Sequence, residues 1–152
     1  MNQLSAAHPT DAFYHEFRGD ILLSMAKAKA AAAAYETALT FRPDSPQILV
    51  NLGRALIAIN DKKRLSRAIK AISSAQKSEP KWAFIRRQLA IAYGRNGDIA
   101  AADLALAEEA ILLGDDQQAV RMAKRVLSGD QLKHDLRNRA NDILFRFGKL
   151  AP

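Results

Sequence analysis

Cysteine is absent from the 152 residues. That excludes a disulfide framework, a thiol nucleophile and any thiolate metal site. It leaves the compartment open, since a cysteine-free chain suits an oxidising or a reducing environment. Aromatic residues make up only 7% of the chain although 49% is apolar, and much of the apolar content is alanine. Alanine has the highest helix propensity and lets helix axes approach closely, so the composition favours packed helices. No apolar stretch reaches the ~18 residues of a membrane span. The opening Met1–Asp11 is polar and has no apolar core, so it does not read as a secretory signal. In an exported protein that signal would lie upstream of this chain.

The net charge of +7 is unevenly spread. Residues 61–97 carry ten Lys and Arg against Asp61 and Glu79, whereas residues 98–119 carry six acids and no base. From residue 120 onward eight bases face three acids. A basic segment can recruit nucleic acid or an acidic partner. Few aromatics accompany Lys62 to Arg95, which disfavours stacking on single-stranded nucleic acid. Solvated helix faces account for such runs more simply.

Spaced small and large residues recur along the chain. Gly19, Ala31, Tyr35, Ala38 and Pro43 form one series; Gly53, Ala68, Ile72, Ala75 and Pro80 form a second, with three extra residues around Asn60-Asp61-Lys62. A third opens at Leu89, Ala90 and Tyr93 and turns at Gly97. The order resembles the tetratricopeptide-repeat (TPR) signature and covers most of residues 12–127. The resemblance implies an all-α, TPR-type solenoid of antiparallel helix pairs, about eight helices in all. Small residues at Gly19, Gly53 and Ala90 would let paired axes approach, while Tyr35 and Ile72 fill the space between neighbours. The spacing predicts helices over 11–25, 27–41, 46–59, 63–77, 81–96, 98–113, 115–127 and 131–147, the last a C-terminal cap. Gly97-Asp98 and Gly114-Asp115 read as matching turns, a terminating glycine followed by a capping acid. Along 98–113 the expected apolar face is Ile99, Leu106, Ala110 and Leu113. Flanking tails are expected at 1–10 and 148–152, with one domain over 11–147.

Catalytic chemistry finds no purchase. His15-Glu16 followed by Gly19 is a broken HExxH motif, lacking the second histidine that would share a zinc ion. His8 and His134 stand in no metal or nucleophile spacing. Asp98, Asp103, Glu108 and Glu109 read as solvated helix surface rather than acid–base pairs. The expectation is therefore a chain without catalytic residues, metal or other cofactor.

In a TPR array the first helix of each pair lines the concave surface. That analogy nominates Phe13, Glu16, Asp20 and Ser24 from the first repeat, and Gln47, Val50, Asn51 and Arg54 from the second. Phe84, Arg87, Ile91 and Arg95 come from the third. A TPR subclass that grips C-terminal carboxylates places lysine and asparagine where this chain has Glu16 and Asp20, and only Asn51 survives from it. A groove acidic at one end and basic at Arg54, Arg87 and Arg95 suits an extended peptide of mixed charge or a partner helix.

Residues 14–23 (YHEFRGDILL), Gln88 to Arg95 (QLAIAYGR), Leu104 to Glu108 and Arg139 to Leu144 also resemble the C-terminal TPR segment of BepA-like bacterial HExxH zinc metalloproteases. The likeness spans about residues 8–147. It implies a periplasmic, non-catalytic part that recruits substrate or partner to a separate protease domain during outer-membrane protein quality control. The alternative is a free-standing cytoplasmic TPR adaptor or secretion chaperone. A nucleic-acid partner is disfavoured in both.

Overall fold

The structure is a computed structural model in which residues 11–129 and 132–148 are described. The tail expected at 1–10 and nearly all of that at 148–152 lie outside them. Among the described residues all regular structure is helical. The helices are α1 (Ala12–Ser24), α2 (Ala28–Phe41), α3 (Pro46–Ile59) and α4 (Lys62–Ser78), then α5 (Ala83–Asn96), α6 (Ile99–Leu113), α7 (Asp116–Leu127) and α8 (His134–Phe147). The chain divides into two compact units, Met1–Glu79 and Pro80–Pro152.

Side chains that satisfy orphan backbone groups set the helix ends. Asp11, Asp61, Asp98 and Asp115 each accept a hydrogen bond from a backbone N–H of the first turn they precede. Ser45 precedes Pro46 at the start of α3 but makes no capping bond of its own. Gly97 and Gly114 adopt left-handed backbone, φ 85° and 77°, a conformation glycine reaches without a Cβ clash. Each closes its helix with a reversed bond: Asp98 N–H to Tyr93 O at 3.0 Å, and Asp115 N–H to Ala110 O at 2.9 Å. Asn60 ends α3 in the same left-handed region, which is where the second repeat carries its extra residues.

In the first unit α1 packs on α2, α2 on α3, and α3 on α4, with α1 also reaching α3. The crossings depend on absent side chains. A Cβ on Gly19 would lie 2.5 Å from the Tyr35 ring, and one on Gly53 would lie 2.6 Å from Ile72 Cδ1 and closer still to Cγ1. Ala31, Ala38, Ala68 and Ala75 are fully buried beside them, as are Tyr35 and Ile72. His15 of the broken zinc motif is buried too, its ring stacked on Phe41 at 5.9 Å.

In the second unit α6 is central, packing against α5, α7 and α8. Its core joins Ala101, Leu104, Ala107 and Ala110 to Ala119, Ala123 and Val126 of α7 and to Leu136, Ala140 and Ile143 of α8. The expected face of α6 is corrected here. Ile99 and Leu113 are more than half exposed while Asp103 and Glu109 are buried, because α6 has packed neighbours on several sides and its buried surface is not one narrow stripe.

Candidate interaction surface

The nominated residues fall in both units, and each set has its own geometry. In the first unit, side chains from α1 and α3 line an open cleft of about 340 Å³: Asp20, Leu23 and Ser24 on one side, Gln47, Asn51 and Arg54 on the other. A hydrogen-bonded chain orders its floor. The Tyr35 hydroxyl, presented from α2, donates to Asp20 Oδ1 at 2.7 Å, and Asn51 Nδ2 donates to the same oxygen at 3.3 Å. Arg54 Nη1 in turn donates to Asn51 Oδ1 at 3.1 Å. Asn51 is thus buried between an anion and a cation and holds both in place.

The electrostatics follow from this packing. Burial first, then the hydrogen bond to Asp20, pushes the Tyr35 phenol far above its ordinary value, so it remains a proton donor. Burial raises the Glu16 carboxyl as well, with Asp20 one turn along adding to the rise and Arg42 opposing it. Phe13 and Phe17 stand exposed on α1, at 70% and 53%. Val50 is corrected: with no exposed surface it belongs to the core and lines nothing. Helical position put it on the groove, but the packing of α3 against its neighbours turns it inward.

In the second unit Phe84 and Ile91 are partly exposed on α5, and Phe84 lies against Trp82 with ring centroids 5.9 Å apart. Arg95 is exposed on the same helix. Arg87 is half-exposed but committed, its Nε 2.8 Å from the Glu109 carboxylate. Related pairs surround it. Glu108 joins Arg86 of α5, at 2.9 Å, to Arg139 of α8, and Asp103 meets Arg125 of α7 at 3.1 Å. The reading of these acids as solvated surface is therefore corrected for Asp103 and Glu109, each 5% exposed and ion-paired. Burial raises the Asp103 carboxyl and Arg125 partly offsets the rise.

Among the described residues no group of three or more His, Asp or Glu side chains is placed to hold a metal ion. Among the described residues no helix is long and apolar enough to cross a membrane.

No family model and no curated protein matches the sequence. The crystal structure of MamA, a TPR-like all-helical protein, is similar to this chain. The alignment covers 97% of this chain and 82% of that one at 16% identity, with a TM-score of 0.69. The fold is of the TPR type. At that identity the likeness speaks to fold alone, and it does not reach the zinc metalloproteases in particular. Within the TPR arrangement, α1 and α3 are the first helices of the first two pairs. The α1–α3 cleft therefore lies on the helices that the repeat analogy nominates.

Proposed function

We propose that this chain is a non-catalytic protein-binding module whose first unit takes an extended segment of a partner polypeptide in the α1–α3 cleft. One observation carries the reading: Asp20 and Arg54 flank the cleft with Asn51 fixing both. A carboxylate and a guanidinium presented in one cleft complement the alternating N–H and C=O groups of a peptide backbone. Preorganisation by Tyr35 and Asn51 reduces the ordering cost of binding. Phe13 and Phe17 add exposed apolar area on α1 for a side chain of the ligand.

The resemblance over residues 8–147 supports a more particular version. In it the module is the recruiting part of a periplasmic HExxH metalloprotease acting in outer-membrane protein quality control, with the protease domain as a further partner. The alternative is a free-standing cytoplasmic adaptor or secretion chaperone. Both versions use the same cleft.

The test is selection of binding peptides from a random displayed library, followed by titration against Asp20→Ala and Arg54→Ala. Each truncation is expected to weaken a selected peptide about tenfold, the effect of losing roughly one charge-assisted hydrogen bond. Arg87 is a poor probe, because reversing its charge would strand the buried Glu109. Peptides that bind both variants as tightly as the parent would remove the cleft from consideration.

A further inference from the structure

Helix α4 holds six cations and no acid over Lys62–Ser78. Its apolar side, Leu65, Ala68, Ile72 and Ala75, is buried in the first unit. The opposite side presents Lys63, Arg67, Lys70, Ser74 and Lys77, all exposed. Their spacing of i, i+4, i+7, i+11 and i+14 makes one straight stripe along the helix, about 21 Å long at 1.5 Å per residue. Arg67 is joined to Glu36 of α2 at 2.6 Å. Lys63, Lys70 and Lys77 form no ion pair among the described residues, and they recur every seventh position. The Ser74 hydroxyl is turned back onto the carbonyl of Lys70, so the stripe offers charge and little else.

At the start of α4 the placement opposes helix stability, although Lys77 in the last turn is favoured by the dipole. Lys62, Lys63 and Arg64 occupy the first turn, where the positive end of the helix dipole disfavours cations by about 0.3–1 kcal/mol each. Asp61 is the only acid at that end, and it caps the helix through its bond to Arg64 N–H. Solvation alone would be served as well by acids or glutamines there. Three of the row, Lys63, Lys70 and Lys77, have no counter-charge among the described residues, which makes this face complementary to an external anion.

We infer that the outer face of α4 docks an acidic segment of a partner protein, one presenting carboxylates at seven-residue spacing along a helix. The TPR-type fold favours a polypeptide over other polyanions. The stripe has no exposed aromatic to stack on bases, and it has no apolar wedge to enter a bilayer. This surface is separate from the α1–α3 cleft and stands or falls independently of it.

The experiment titrates the full chain with a labelled 21-residue helical peptide carrying Glu at every seventh position, against a control of equal composition with the Glu positions scattered. Duplex DNA and phosphatidylserine vesicles are run in parallel. The patterned peptide is expected to bind at about 50 mM salt and weaken about tenfold or more at about 300 mM, where the Debye length falls from about 14 Å to about 6 Å. The Lys63→Glu/Lys70→Glu variant, whose changes face away from the core, should lose the peptide while keeping its helical circular dichroism. Extending the reversal with Lys77→Glu should restore binding to the matching peptide in which Glu is replaced by Lys. Unchanged binding by the double variant, or equal binding of the scattered control, overturns the docking surface. Tighter binding of DNA or vesicles overturns the choice of partner.

Discussion

Asp103 carries a proton-linked cost that an exposed carboxylate would not. It is 5% exposed within α6, and burial raises its carboxyl more than the Arg125 guanidinium lowers it. The folded state therefore holds the proton more tightly than the unfolded chain. Its contribution to stability declines as pH climbs from the ordinary carboxylate range through the raised value, and above that value the full penalty is in force. Asp103→Asn keeps the shape and removes the charge. Its thermal midpoint should exceed that of the wild type at neutral pH, and the difference should vanish at about pH 3, where both side chains are neutral. A lower midpoint at neutral pH would mean that the pair with Arg125 outweighs the desolvation. The burial of Asp103 was legible in principle, because Ile99–Leu113 is apolar around nearly its whole circumference and offers no polar face for an acid to occupy. Its partner was not legible, since Arg125 lies on another helix and no local spacing joins the two.

Between elements, the decisive contact is the crossing of α3 over α4. Gly53 costs α3 about 1 kcal/mol in helix propensity relative to alanine, yet a methyl group there would collide with Ile72. Overpacking of that kind costs about 1–3 kcal/mol and outweighs the propensity gain. Gly53→Ala is accordingly expected to lose about 1–2 kcal/mol in denaturant unfolding. In an Ile72→Ala background, where the space is empty, the same change should be neutral or stabilising. Equal losses in both backgrounds would place the cost in the helix backbone and not in the crossing. The repeat of small residues made these crossings readable, as the caps at Asp98 and Asp115 and the glycines at 97 and 114 made the helix ends readable. The surface was harder to read. Val50 shares a helix with the cleft residues Gln47, Asn51 and Arg54, and a position on one helix does not say how far its neighbour reaches around it. Glu108, bridging α5 to α8, joins side chains 22 and 31 residues away, again beyond any local pattern.

Across the whole molecule the charge blocks of the sequence resolve into different physical objects. The acidic run 98–119 is largely neutralised within its own unit, where Asp98, Asp103, Glu108 and Glu109 each meet a basic side chain. The basic excess on α4 has no comparable set of partners, which is why it and not the acidic run presents a charged surface. The same division predicts how stability is distributed. In repeat folds each element draws its stability from its immediate neighbours, and each compact unit here holds its own core. A defect in one core should therefore be felt first by the helices packed around it. In native-state hydrogen exchange of the intact chain, Gly53→Ala is expected to lower the protection of the slowest amides in α1–α4 by the free energy lost in unfolding. Protection in α6 and α7 should remain at its wild-type level. If protection instead falls by the same amount in α6 and α7, the two units open as one cooperative body, and nearest-neighbour packing does not govern the stability of this chain.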